Sequence, residues 1–217
     1  MSGLTYWIED PRPRAAEAPY TFSLPSPEEL SALVPDDYVK LIFVSVPTSN
    51  VERMWVMIDA IDGDNLVGLL ANEPKDMPGL SFRDTIAFSR HAIIACQWGE
   101  DRNSYPTPPP PNRTYWERCL VDRCVIDEGV PVHFLYREEP QPTSADSDPD
   151  SGWAIRGDYR GLSKEQLDAR ETDFVALGLV LNRDDSWLHL IDEPIGSAFI
   201  RDWENGGFVP EERGDGE

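Results

Sequence analysis

Short apolar runs alternate with turn-forming clusters along this chain, and their period assigns the elements. In residues 39–98 the runs are brief, β-branched and aromatic. Residues 39–46 and 54–61 read as strands, and Asp62-Gly63-Asp64-Asn65 reads as a hairpin turn. Residues 66–71 are the return strand, and residues 72–79, with Pro74, Pro78 and Gly79, are a loop. Residues 84–88 and 92–96 complete a set of short strands, which predicts a small bent sheet or an SH3-like barrel. Upstream, Pro11, Pro13, Pro19, Pro25 and Pro27 make residues 1–27 an extended lead-in. Ser26 as N-cap, Pro27 in the first helical position and Glu28-Glu29 behind it predict a short helix to Leu33, stopped before Pro35.

The second half follows a different pattern. Residues 118–127 and 130–136 read as a hairpin around Asp127-Glu128-Gly129, and residues 139–151 as a polar loop. A further strand covers residues 153–156. Ser163-Lys164-Glu165-Gln166 has the spacing of a capping box. Leu167, Phe174, Leu177, Val180 and Leu181 then form a loose helical stripe broken by Gly178. Asp184-Asp185-Ser186 caps a short helix over residues 187–192, stopped by Pro194. Between the halves, Pro106 and the four prolines 108–111 favour a stiff polyproline II linker. The tract could also serve as a ligand for SH3 or WW domains, but no basic residue sits in a regular P-x-x-P frame.

These patterns predict an α+β protein in four parts. Residues 1–103 are a small β-rich module, an SH3-like barrel or bent sheet. Residues 104–114 are the proline-rich linker. Residues 115–210 are an α+β module, and residues 211–217 are a frayed acidic tail.

Charge narrows the choice of partners. The formal net charge is −21 over 217 residues, with 8 Lys+Arg against 16 Asp+Glu in residues 1–105 and 11 against 24 in residues 106–217. Both halves therefore repel phosphate backbones and anionic lipid, so neither nucleic acid nor membrane is an expected partner. A basic protein would be attracted. Apolar residues make up 40% of the chain, with seven Trp, which is enough for a core. The N-terminus has no basic start with an apolar run behind it, and no stretch approaches ~20 apolar residues. A cytoplasmic protein is expected.

Candidate chemistry is sparse. Three cysteines, Cys96, Cys119 and Cys124, argue against a disulfide framework and read as thiols in a reducing compartment. His91, His133 and His189 are isolated, and no zinc, phosphate-loop or nucleophile-elbow motif occurs. The expectation is no catalytic residue, no metal and no cofactor. Acidic pairs such as Glu138-Glu139 and Asp184-Asp185 are too common in so acidic a chain to mark a site.

Two constellations are less generic. One sets Tyr136, Arg137 and Glu138 beside Asp150, Ser151, Gly152 and Trp153, with Asp158 beyond Gly157. An Arg between an aromatic and acids forms a fixed ion-pair node, and Gly152 permits a tight bend. The plainer reading is a strand end packed under a turn. The second is Asp184 and Asp185 ahead of Trp187, for which the plainer reading is a capped helix with a Trp anchor. These ten residues, Tyr136 to Asp185, are the candidate binding set.

With Gly196-Ser197-Ala198-Phe199 near the end, the first constellation resembles domain-of-unknown-function family 2185, also called immunity protein family 33 of bacterial polymorphic-toxin systems. The resemblance spans residues 119–203. The acidic loop between Pro140 and Asp150 is longer here, and residues 164–172 replace the family's run before its final helix. The first half resembles family 2314 in Glu52-Arg53-Met54-Trp55-Val56, Asn72-Glu73-Pro74 and Pro78-Gly79-Leu80, which implies a small β module. The resemblance to the immunity family implies a non-catalytic module that binds a toxin. Nucleic-acid-degrading toxins carry basic clefts, and an acidic inhibitor can mimic phosphate there. The alternative is an enzyme whose site is assembled from Arg137, Asp150 and Asp184-Asp185, which would require those groups to converge in one pocket.

Overall fold

A computed structural model describes residues 5–100, 102, 105, 107–145 and 147–211. The chain divides into two compact units, Met1–Arg113 and Thr114–Glu217. It is mixed and strand-rich, with short helices, and no described helix is long and apolar enough to cross a membrane. Residues 212–217 of the expected acidic tail lie outside the described residues.

In the first unit β1 (Tyr6–Ile8), β2 (Tyr38–Ser45), β3 (Val51–Asp62), β4 (Asn65–Leu70) and β5 (Thr85–Ser89) pair in chain order, each antiparallel to the next. β6 (Ala95–Gln97) returns to pair with β2 at Tyr38–Lys40. Only a short 3₁₀ turn and two residues separate β5 from β6. That short link pulls the far end of the sheet back to its start, so the sheet coils into a near-barrel. Alternation supplies the core: Val39, Leu41 and Phe43 of β2 meet Met54, Val56 and Ile58 of β3, with Leu66, Leu70, Ile86 and Phe88 behind. Asp37 is fully buried and serves as an anchor. Its carboxylate accepts from the N–H groups of Val34 and Gly99 and pairs with Arg102.

Two expectations for this unit change. The lead-in contains β1 and a helix, α1 (Arg12–Glu17). Its Pro13 falls in the first helical turn, where the missing N–H would have had no partner. Residues 92–96 split into the end of the 3₁₀ turn (Arg90–Ala92) and β6. The helix expected after Ser26 is present as α2 (Pro27–Ser31), with Ser26 and Glu29 closing a capping box.

The second unit is a six-stranded sheet. Its strands are β7 (Arg118–Asp122), β8 (Val132–Arg137), β9 (Asp150–Gly157), β10 (Thr172–Ala176), β11 (Ala198–Arg201) and β12 (Phe208–Pro210), in the order β10-β7-β9-β8-β11-β12. β7 and β9 are parallel, and the other pairs are antiparallel. Helices α3 (Arg123–Asp127) and α5 (Leu177–Leu181) pack on one face. A capping box starts α4 (Lys164–Asp168), as its sequence predicts.

The expected hairpin over residues 118–136 is not formed. β7 runs into α3, and β8 pairs with β9 and β11 instead. β7 can pair in parallel with β9 because α3, β8 and the loop after it form the long crossover that a tight turn could not supply. The expected helical stripe also divides. Thr172–Ala176 is a strand, and Gly178 lies inside α5 rather than breaking it. The period-3.6 reading failed because Phe174 faces away from Leu177 and Val180. Over residues 187–192 the structure holds only a 3₁₀ turn, Leu188–Leu190.

Gly152 has φ +77°, and a Cβ there would sit 2.1 Å from the Glu138 carbonyl oxygen. Gly152→Ala is therefore expected to lower unfolding stability by well over ~1 kcal/mol, read by denaturant titration. Residues 1–113 and 114–217 expressed separately are each expected to melt cooperatively. Failure of both to fold alone would mean that the units depend on one another.

Candidate functional site

β8 and β9 place the first constellation at one end of the second sheet, with Arg137 opposite Trp153 and Tyr136 opposite Ala154. Trp153 is 1% exposed. Its ring lies 6.0 Å from Trp187, and its Nε1 donates to the Ile191 carbonyl at 3.2 Å. It therefore ties the sheet to the segment that covers it and offers no surface to a partner. Arg137 acts alongside it. Its Nε donates to the Ser151 carbonyl (3.0 Å) and its Nη1 to the Glu193 carbonyl (2.7 Å), and the guanidinium stands 5.7 Å from the Trp153 ring centre. Ser151 is buried and donates to the Arg118 carbonyl at 2.7 Å. Arg137, Ser151 and Trp153 are thus the frame of the site.

The exposed members stand on the opposite face. Period-2 alternation places Leu120, Ala154 and Tyr136 side by side across β7, β9 and β8, with Phe174 beyond Leu120 on β10. Leu120 and Phe174 are 39% and 42% exposed. Both side chains lie on the uncovered sheet face, where the Arg118 guanidinium stands 5.3 Å from the Phe174 ring centre. The segment after β8 closes one side of this face. Asp150 accepts from the Gln141 N–H at 2.8 Å and from the Gly152 N–H at 2.9 Å, which pins the base of the 138–150 loop. Together they form a groove of about 370 Å³. Its floor includes Leu120, Ala154 and Phe174, and its rim carries Glu138, Glu139 and Asp150.

The remaining candidates lie at the other end of the sheet. Val132, which begins β8, donates its N–H to Asp184 at 2.9 Å and pairs with Gly157 at the end of β9. Asp184 also pairs with Arg201. Asp158 is held by Arg160 through Nε at 3.0 Å and Nη2 at 2.8 Å, which depresses its pKa to about 2. Asp185 is exposed beside Asp184, and its carbonyl caps the following turn. Arg137 and Asp184 therefore occupy opposite ends of β8, ~17 Å apart by strand rise. The convergence that an Arg–carboxylate active site would need is not present among the described residues.

Sequence reading missed the company that Asp158 keeps. Trp203 Nε1 donates to His133 Nδ1 at 2.7 Å, Tyr159 meets His133 edge-on at 4.3 Å, and Arg160 stacks 3.7 Å over Trp203. No local spacing signals this cluster, because residues 133, 159–160 and 203 meet only through strand pairing. Burial pushes the His133 pKa down, against the pull of Asp158.

Nucleophilic chemistry finds little support. Burial raises all three thiols, Cys96 to about 12, so none is a thiolate near neutral pH. Among the described residues, no group of three or more His, Cys, Asp or Glu side chains is placed to hold a metal.

Residues 119–211 match the family model described as the Immunity protein Imm33 domain. The match runs from the start of β7 past β12 and contains the groove and both clusters. It begins at Cys119 and so lends no support to the resemblance between the first half and family 2314. Neither the curated proteins nor the solved structures contain a match to the chain.

Trp153→Ala is expected to cost ~3–5 kcal/mol of stability, as loss of a buried aromatic does. Arg137→Ala should cost less, ~1.5–3 kcal/mol, through two unpaired carbonyl groups. Unchanged denaturant midpoints would refute the frame role. His133, with its pKa lowered on folding, stabilises the fold fully above the ordinary value of ~6.5, and that stabilisation is lost as pH falls from there through its lower folded value. Asp158 titrates in a separate, more acidic window, its contribution present above ~3.8 and lost as pH falls toward about 2. Melting temperatures of the native chain should fall as pH drops below ~6.5. In His133→Gln the fall should be shallower, and equal slopes would remove the His133 assignment.

Proposed function

We propose that the C-terminal unit is a non-catalytic binding module of the toxin-immunity type. In this reading it holds a basic partner protein in the groove on the open face of its sheet. The observation that carries the reading is the groove itself, an apolar floor with a carboxylate rim inside the segment matched by the immunity-domain model. Such a lining suits a lysine or arginine side chain, whose aliphatic stem lies on Leu120 and Phe174 while its charged head reaches Glu138, Glu139 or Asp150. The excess of Asp and Glu over Lys and Arg in both halves of the chain adds long-range attraction for the same partner. It also argues against nucleic acid as the ligand. The immunity-domain match supports a protein partner, a toxin, ahead of a small molecule.

Co-expression with a toxin encoded beside this gene is the direct test. The native chain should protect the host and co-purify with the toxin. Phe174→Ala should weaken binding by ~2 kcal/mol if it is an anchor, a larger loss than the small drop in stability from removing a half-exposed ring that packs under Arg118. Glu138→Gln with Glu139→Gln should slow association and flatten its dependence on salt. Full affinity in both variants would remove the groove from the interface. Salt-independent association in the native chain would remove the electrostatic part of the reading.

A further inference from the structure

The N-terminal sheet carries a second site that does not depend on the reading above. Its five strands β1 to β5 alternate in direction at every step, so the first and last run the same way. Among the described residues, β1 pairs only with β2 and β5 only with β4. β6 draws the sheet toward closure at the Tyr38–Lys40 end of β2, and the β1–β5 seam stays open. The seam is a cavity of about 740 Å³, lined by Tyr6, Trp7 and Ile8 on one side and Ala87, Phe88 and Ser89 on the other. That volume falls within the ~300–1,000 Å³ of ligand sites.

The backbone along both edges points into this gap. The Thr5 carbonyl accepts from Val46, and the Glu9 N–H donates to Ile42, both toward β2 and both at 2.9 Å. Alternation along an antiparallel ladder then turns the main-chain groups of Tyr6 and Ile8 outward. On β5, the Arg90 N–H donates to the Asp64 carbonyl and the Asp84 carbonyl accepts from the Leu70 N–H. The same parity turns the N–H and C=O of Ala87 toward the seam. Two facing rows of outward main-chain donors and acceptors match an extended chain.

We infer that the β1–β5 seam binds an extended peptide segment of a partner protein, antiparallel to both strands and carrying basic side chains. A strand inserted in that direction restores the alternation that an odd number of strands breaks, and it pairs on both edges at once. Trp7, 45% exposed, supplies apolar contact for alternate side chains. Charge selects the peptide. The unit carries 9 Lys+Arg against 16 Asp+Glu. At the seam itself Arg12 is paired with Asp10, Arg14 with Glu9, and His91 faces Asp64, so the selection comes from the unit's net charge rather than from the lining.

The test uses the full chain and a capped, alternating Val-Lys hexapeptide, with amide hydrogen exchange as the readout. The peptide should slow exchange at Ile8 and Ala87 about tenfold or more and leave Phe88, already in the β4–β5 ladder, unchanged. The same peptide N-methylated at alternate amides should lose this effect. Ala87→Pro, which removes a seam donor and no ladder bond, should weaken binding about tenfold with the melt preserved. The N-methylated peptide makes the test independent of that variant's folding. Absence of protection would overturn the inference, as would equal protection by a Val-Glu hexapeptide. Seam amides already slow in the free chain would mean that the chain fills its own seam. Protection that appears only with self-association would make a second copy the occupant. Either result would also overturn it.

Discussion

The second unit turns on one buried carboxylate. Asp122 is fully buried at the end of β7 and accepts from the Gly157 N–H and from Arg170 Nη1, both at 3.0 Å. Arg156 Nε lies 3.2 Å from its other oxygen, an ion pair without an aligned hydrogen bond. Arg170 in turn donates to the carbonyls of Gly157 and Asp158. A buried charge is tolerated only when its partners are fixed, so this node locks the end of β9 beside the end of β7. Parallel strands lack a hairpin to set their register, and here side-chain bonds help to set it. Once β7 and β9 are aligned, Leu120 falls beside Ala154 and the groove floor follows.

That alignment separates two roles within one short stretch. Trp153 and Arg137 point to the covered face, where a large ring and a clamped guanidinium hold the sheet to its lid. Their sequence neighbours Ala154 and Tyr136 point to the open face. The period of two along a strand thus places frame and surface at adjacent positions. Gly152 makes the join possible, because only a residue without Cβ lets the Glu138 carbonyl approach so closely. The acidic rim then arises at the mouth of the loop that this close approach anchors.

The first unit shows the corresponding limit of a small sheet. Five antiparallel strands can coil until their ends face one another, but the ends run in the same direction. β6 offsets part of this by returning to the edge of β2. Gly68 helps the sheet coil: a Cβ there would meet the Met57 carbonyl oxygen at 2.3 Å, so its absence lets β3 and β4 approach beside the β3 bulge.

The sequence by itself determined the elements whose signals are local. The Ser26 N-cap, the Ser163 capping box, the Asp62–Asn65 turn and the alternating runs of β2 to β4 were legible because neighbouring residues make those bonds. Acidity and the lack of local catalytic motifs were equally legible. The motif around Tyr136–Glu138 and Asp150–Trp153 falls on β8 and β9, but it could not say which side chains face water. Tertiary structure alone decided that β7 takes a parallel partner, that Phe174 belongs to a strand, and that Asp158 and Asp184 lie far from Arg137. It also brought His133, Arg160 and Trp203 together. The physical reason is shared. Local hydrogen bonds leave a periodic trace along the chain, whereas strand order and the choice of open face depend on what packs across from each strand.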